Sequence, residues 1–191
     1  MVLRRFGVVQ PLPLQIVRRG ASPVCQGDTA DPWIVEAGLL RAWTVDDAGR
    51  ELVLDVLGHG DLVGEADGGV SAWTVSALGP GRLRVARPDQ IGPAMAERSE
   101  RLTRLAGQLA WSGVRQRVEA RLVDLATRLG RPVAAGTLVP LRITQDDLAA
   151  MVGTTRESAN RAVRSLLDQD RLRRDARGRY VVRTRLRAVA R

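Results

Sequence analysis

From Leu14 to about Pro88, apolar and polar positions alternate with a period near two. Leu14-Gln15-Ile16-Val17 is a short apolar run closed by Arg18, Arg19 and Gly20. Trp33-Ile34-Val35 comes next, then residues 39–45, where Leu39, Arg41, Trp43 and Val45 share one face. Asp46-Asp47-Ala48-Gly49 has hairpin-turn chemistry and leads into a second alternating run at residues 51–57. Gly58, Gly60 and Gly64 punctuate the next corner, and residues 71–78 and 83–86 predict two further strands. Many short strands with a glycine at each corner predict an antiparallel sandwich or roll.

The period then lengthens. Between Pro88 and Gly113 the apolar residues Ile91, Met95, Leu102, Leu105 and Leu109 have helical spacing. Met95, Leu102 and Leu109 are seven apart, a partial heptad that would seam two helices, although Arg98 and Ser112 interrupt the companion positions. A helix of about 20 residues is about 30 Å long. It can pack on its own roll or pair with a second copy, and a dimer helix is the expectation.

Residues 114–191 predict a small helical unit. Val114, Val118, Leu122, Leu125 and Leu129 line one helix face, stopped by Gly130 before Arg131-Pro132. Val139-Pro140-Leu141-Arg142-Ile143 reads as a short strand. Thr144, with Asp146 and Asp147 behind it, looks like the N-cap of a helix running through Leu148 to Val152. Gly153 breaks that helix, and the spacing from Thr154 to Glu157 is that of a capping box opening another through Ala162, Val163, Leu166 and Leu167. Leu172-Arg173-Arg174, the turn 175–178 and Arg179-Tyr180-Val181-Val182 predict a hairpin. The expected division is therefore 1–88, a roll; 89–113, a dimerisation helix; and 114–191, a helical domain.

Charge sharpens this division. The 191 residues carry 30 basic and 21 acidic side chains, a formal charge of +9, and every cation is arginine. Residues 1–113 hold 12 Arg and 13 acidic residues, whereas residues 114–191 hold 18 Arg and 8 acidic residues. Nine arginines lie in the last 21 positions. A charge run is ordinarily a solvated face, but a near-neutral half joined to a strongly basic one favours a polyanionic partner. No run approaches the roughly 18 apolar residues of a membrane span. Pro11, Pro13 and the later charges break any signal-peptide core. The single cysteine, Cys25, excludes an internal disulfide and any all-cysteine zinc or iron–sulfur site. The expectation is a cytoplasmic protein with no membrane partner.

Two short helices across a glycine turn, the second opening with polar and basic residues, have the layout of a helix-turn-helix. Ala149 is small where the helices cross, and Leu148, Val152, Ala159 and Ala162 supply apolar contacts. The second helix would present Thr155, Arg156, Glu157, Asn160 and Arg161. Arginine reads guanine O6 and N7 bidentately, and glutamate accepts from cytosine N4. The hairpin, with Arg177 and Arg179, would rest on phosphates as a wing. A helix pair with a glycine turn is common in small α domains. A strand, a helix pair and an arginine-rich hairpin in that order, inside the basic half, point to double-stranded DNA.

These strings carry a family resemblance. ITQDDLAAMVGTTRESANRAVRSLLDQDRLRR followed by GRYVV resembles the winged-helix signature of the CRP/FNR transcription regulators, and RQRVEARLVDLA is similar to their connecting helix. RRG, QGDTAD, GRELVLDVLGHGDLVGE and SAWTVSAL are similar, in order, to the family's cyclic-nucleotide-binding β-roll. The resemblance covers roughly residues 14–182 and implies an α+β fold: an N-terminal antiparallel β-roll, a long dimerisation helix and a C-terminal winged helix-turn-helix. It further implies a homodimer on DNA, with RNA polymerase as a protein partner. Arg156, Glu157 and Arg161 match the family's three base-reading positions and imply TGTGA-like half-sites in an inverted repeat. Thr144, Thr154, Thr155 and Asn160 match further phosphate or base contacts.

The ligand site departs from the pattern. In the cyclic-AMP-responsive members a Gly-Glu pair is followed by a short helix and an Arg-Ser/Thr-Ala segment, the Glu meeting the ribose and the Arg the phosphate. Here Gly64-Glu65 and Ser71-Ala72 match, but Val70 stands at the arginine position and the loop 66–69 is short. A phosphate there would lack its charge-assisted bidentate partner, with Asp67 nearby to repel it. The helix position that meets adenine is represented by Leu102-Thr103. Glu65 can equally be a structural carboxylate. No cofactor is expected, cyclic AMP included. The alternative is a cyclic-nucleotide- or redox-gated regulator of the same family. His59, in a Gly-His-Gly corner, reads as a turn residue rather than a haem ligand. Cys25 reads as a small core residue unless it is an exposed redox switch.

Two other classes fit the sequence less well. An enzyme is not expected: there is one His, one Cys and no phosphate-binding or zinc-protease string. Asp46-Asp47 and Asp146-Asp147 have structural reasons in a turn and a helix start. A non-specific architectural DNA-binding protein would need the basic charge but not the Arg156, Glu157, Arg161 trio.

Overall fold

The computed structural model describes residues 13–183; the N-terminal Arg4, Arg5 and Pro11 and the basic tail from Arg185 to Arg191 lie outside them. Seven strands build the N-terminal roll: β1 (Leu14–Val17), β2 (Trp33–Ala37), β3 (Leu40–Val45), β4 (Glu51–Leu57), β5 (Leu62–Val63), β6 (Thr74–Ala77) and β7 (Gly81–Val85). They form two antiparallel sheets, ordered β1-β7-β2-β5 and β4-β3-β6. Val17, Val35, Leu40, Leu57, Val75 and Leu83 close the core between them. The alternation in β3 is as expected, with Leu40 and Ala42 facing inward. At Gly64 the backbone is left-handed (φ +87°), and a Cβ would run into the carbonyl of Asp31, so only glycine fits this corner.

Strand β4 serves two cores. A bulge against β3 pairs Ala42 with Asp55 and Trp43 with Val53. Beyond it Asp55, Val56 and Leu57 are all buried. Leu57 belongs to the roll core, whereas Val53 and Val56 pack with the C-terminal domain.

Helix α1 (Pro88–Trp111) has proline in its first turn, where no intrahelical N–H is lost. Ala94, Arg98, Arg101 and Leu105 are buried, a stripe at 4, 3, 4 spacing that lies on the roll. This face takes the first of the two packings open to the helix from sequence, against its own roll. Arg98, which looked like an interruption of a dimer seam, anchors the roll-facing side. The other side carries Gly92, Ala96, Ser99, Thr103, Ala106 and Ala110, all exposed, with Met95, Leu102 and Leu109 half-buried along its flank.

The C-terminal domain contains α2 (Val114–Leu129), β8 (Arg131–Val133), β9 (Gly136–Leu138), α3 (Gln145–Val152), α4 (Arg156–Asp168), β10 (Leu172–Arg174) and β11 (Tyr180–Val182). Its sheet runs β10-β11-β9-β8. Val118, Leu122 and Leu125 of α2 meet Leu148, Val163, Leu166 and Tyr180 in one apolar cluster with Val53 and Val56. The expected strand at 139–143 does not form. Val139 N–H still bonds Tyr180 O at 2.9 Å, but Pro140 has no N–H to continue a ladder. The β8–β9 hairpin ahead of it supplies the strand instead. Cys25 is also corrected: it is exposed, not a core residue. Among the described residues no helix is long and apolar enough to cross a membrane.

Candidate nucleic-acid interface

The helix-turn-helix is built from local capping. Thr144 is the N-cap of α3: its hydroxyl accepts from Asp147 N–H at 3.1 Å and donates to the Asp147 carboxylate at 2.7 Å. The hydroxyl is therefore engaged in the cap. Gly153 adopts the left-handed conformation (φ 59°, ψ 57°) that ends α3. Thr154 N–H then bonds back to Ala149 O at 3.1 Å, which draws Thr154 into the end of α3. The cap of α4 is Thr155, whose hydroxyl accepts from Ser158 N–H at 3.3 Å. The capping box expected from Thr154 to Glu157 does not form, and the cap lies one residue later. Leu148, Ala149, Val152, Ala159 and Ala162 are buried between the helices, as their spacing predicted.

Arg156, Glu157 and Arg161 are exposed on the first turns of α4, with Thr155 beside them and Asn160 half-buried. Arg161 Nη2 donates to Ser158 Oγ at 3.0 Å, and Arg156 lies 3.5 Å from the Asp146 carboxylate across the turn. Glu157 is held below the usual carboxylate range by its own backbone N–H and the Thr155 hydroxyl, with help from Arg156 and Arg161. It is thus an acceptor beside two guanidinium donors. Arg164, exposed one turn beyond Arg161, joins this basic face, and Arg142 is exposed just before the Thr144 cap. The 161-to-164 spacing was the available sequence signal for Arg164.

In the wing, Arg177 is exposed and its backbone N–H bonds Asp175 at 2.9 Å. Arg179 does not extend freely: its Nε and Nη2 both donate to Asp175 Oδ2, at 2.9 and 2.7 Å. Arg174 stacks over the Tyr180 ring at 5.3 Å.

The second set of expected residues lies where α1 meets the roll. Glu65 accepts from Ser71 Oγ and from Arg98 Nη2, each at 3.1 Å. Arg98 Nη1 donates to Gly64 O at 3.0 Å, and its guanidinium stacks over Trp73 at 4.6 Å. Burial pushes Arg98 down from its usual value, opposed by Glu65. The space left beneath, lined by Leu54, Leu57, Leu62, Trp73 and Leu102 among others, is about 10 Å³. That is room for about one water, against roughly 300 Å³ or more for a small-molecule pocket. Val70 is 65% exposed on the rim, Ala72 beside it is exposed, and Thr103 points away on the exposed side of α1. Of the six expected residues, Gly64, Glu65 and Ser71 come together, and what they hold is Arg98. Trp73 and Arg98 were not singled out from sequence, because nothing local shows that both side chains turn inward. His59 is an exposed corner residue whose Nδ1 lies 2.9 Å from Glu36 O, as its Gly-His-Gly setting suggested.

Comparison with known proteins bears on both regions. Residues 14–98 match the cyclic nucleotide-binding domain family and residues 116–189 match the Crp-like helix-turn-helix domain family. The chain belongs to the CRP/FNR family of transcriptional regulators. Among curated relatives, the cAMP-activated global transcriptional regulator Vfr of Pseudomonas aeruginosa is 28% identical over 145 residues, 65% of this chain and 67% of that protein. A CRP-like cAMP-activated global transcriptional regulator of Mycobacterium tuberculosis is 28% identical over 163 residues, covering 76% and 73%. Among solved structures, FixK2 from Bradyrhizobium japonicum superposes with a TM-score of 0.79 at 18% identity, covering 92% of this chain and 94% of that one. The c-di-GMP responsive regulator CLP of Xanthomonas campestris gives 0.74 at 23%, covering 91% and 94%. These two likenesses establish the fold. As a CRP/FNR-type regulator, the chain carries a helix-turn-helix DNA-binding domain behind a cyclic-nucleotide-binding-like roll.

Proposed function

We propose that this regulator binds an inverted repeat of TGTGA-like half-sites as a homodimer, without cyclic AMP. One observation carries the reading: an open reading helix is joined to a ligand cavity already filled by Arg98 and Trp73. The two curated relatives named above are cAMP-activated, so the proposal departs from them on the chemistry of this cavity. Val70 offers no cation to a phosphate, and Glu65 is engaged by Arg98 rather than free for a ribose.

Arg156 and Arg161 would read guanine edges and Glu157 a cytosine amine. Thr155, Thr154, Asn160 and Arg177 would support them on the backbone, with Arg164 and Arg142 adding charge. Thr144 and Arg179, engaged within the protein, would order the turn and the wing rather than lead contacts. Dimerisation would use the exposed small-residue side of α1, where Gly92, Ala96, Ser99, Thr103, Ala106 and Ala110 repeat at alternating spacings of 4 and 3. That heptad-like row lets two helices approach closely, flanked by Met95, Leu102 and Leu109. RNA polymerase is the protein partner through which such a regulator would act, and the cytoplasm is where it would do so. The units 1–88, 89–113 and 114–191 would be sensor-like, dimerising and DNA-binding.

The test is fluorescence anisotropy on a TGTGA inverted-repeat duplex and a scrambled duplex at fixed salt, with and without cyclic AMP. Selective binding that is unchanged by the nucleotide is expected. Selectivity that appears only on adding cyclic AMP would refute the closed-cavity reading.

A further inference from the structure

Two buried carboxylates, Asp55 and Asp61, join the parts of this molecule, and Asp55 makes the closer contacts. Asp55 sits on β4 just past the bulge, with its side chain 4% exposed. Its Oδ2 accepts from Arg101 Nε of α1 at 2.6 Å, and its Oδ1 accepts from Arg128 Nη2 of α2 at 2.8 Å. Asp55 therefore ties the dimer helix to the first helix of the DNA-binding domain, across an elbow of two residues, Ser112 and Gly113. Both arginines have further holds. Arg101 Nη2 donates to Asp61 at 2.8 Å, and Asp61 is itself fixed by Gly58 N–H at 2.8 Å. Arg128 bonds Asp124 on its own helix at 3.0 Å and the Val56 carbonyl at 3.2 Å. Arg121, two turns of α2 earlier, donates to the Leu54 carbonyl at 3.1 Å. The elbow angle is thus held by Asp55, Asp61 and the β4 backbone as well as by the two-residue link.

That angle matters because α2 is a lever. Its 16 residues span about 24 Å. A rotation of about 10° at the elbow moves the far end by about 4 Å, slightly more than the roughly 3.4 Å rise of one base pair. We infer that Asp55 is the positioning residue that sets which half-site spacing the dimer accepts. The inference rests on the dimer reading above. Because Arg101 keeps Asp61, and Arg128 keeps Asp124, when Asp55 becomes uncharged, the substitution strands no buried cation and removes the closer bridge, leaving Asp61 3.7 Å from Arg128.

The experiment is a set of TGTGA inverted repeats whose spacer is lengthened and shortened one base pair at a time. Wild-type and Asp55→Asn proteins are compared, along with affinity for a single half-site. Wild type is expected to prefer one spacing by about tenfold over its neighbours, the scale of one mismatched pair. Asp55→Asn should flatten that preference to within about threefold while keeping its single-half-site selectivity for TGTGA over scrambled sequence. A merely destabilised protein would lose affinity for all spacings alike and keep their ratio. That ratio, unchanged in a folded variant, overturns the inference and leaves the dimer reading standing. A wild type with no preferred spacing overturns both. If circular dichroism shows Asp55→Asn unfolded, Arg128→Gln replaces it: Asp55 then retains Arg101, and the same flattening is expected.

Discussion

The arginines of α1 and α2 and the arginines of α4 and the wing are one residue type used in opposite ways. Arg98, Arg101 and Arg121 are each less than one-tenth exposed, and every one donates to protein acceptors. Arg156, Arg161, Arg164 and Arg177 stand in solvent. A guanidinium can serve both ends because its planar fork meets carboxylates and backbone carbonyls inside, and phosphates and guanine edges outside. What separates the two groups is the availability of carboxylates. Glu65, Asp55, Asp61 and Asp124 surround the inner set, whereas α4 carries Glu157 and Asp168 among its exposed residues. Net charge therefore located the DNA-binding half but concealed the inner set, whose charge is cancelled.

The comparison can be broken most strongly at Arg101. Replacing it with alanine leaves Asp55 and Asp61 buried and short of a partner, at a cost of about 3–5 kcal/mol in unfolding free energy. Urea titration of the purified variant measures this. Asp61 would feel it most, since burial already raises its carboxyl above the usual range while Arg101 works to lower it. A loss below about 1 kcal/mol would show that the inner arginines are no more structural than surface ones.

Arg161→Ala inverts the outcome. Stability should move by no more than about 0.5 kcal/mol, while affinity for the TGTGA repeat falls by about 1–3 kcal/mol and base choice at that position relaxes. Arg177→Ala sharpens the contrast within the outer set. Binding to every sequence should weaken alike, and the slope of log affinity against log salt should shrink by about 1. An unchanged specificity profile for Arg161→Ala would undo the docking geometry.

The smallest effect concerns the wing. Burial would raise the Asp175 carboxyl, but the Arg179 backbone N–H, the Arg179 guanidinium and the Arg177 backbone N–H together outweigh it and hold the group below its usual range. With a folded value below the unfolded one, the contribution to order is complete above the ordinary carboxylate pKa. It is lost as pH falls through the lowered value. Amide resonances of residues 175–179 should therefore stay dispersed through mild acid and collapse only below it. Loss at the ordinary carboxylate pH would show that Arg179 is free for DNA.

Much of this protein was legible along the chain. The change from period two to helical period found the roll, α1 and the helix-turn-helix, because amphipathic elements must repeat their apolar positions at their own geometry. Gly153, the Thr144 cap and the Arg156, Glu157, Arg161 trio are local features, decided within a few residues. The errors are also local: Pro140 cut short a ladder that apolar residues alone suggested, and the left-handed turn at Gly153 moved the α4 cap from Thr154 to Thr155.

Tertiary structure alone decided where the buried charges go. Arg98 finds Glu65 at 33 residues' separation, Arg101 finds Asp55 at 46, and Arg128 finds the same Asp55 at 73. No periodicity encodes such pairings. From the chain, a charged residue on an amphipathic helix reads as solvent-facing, because burying it alone would cost too much. Only the fold, by bringing Glu65, Asp55 and Asp61 to Arg98, Arg101 and Arg128, makes the burial of these three favourable.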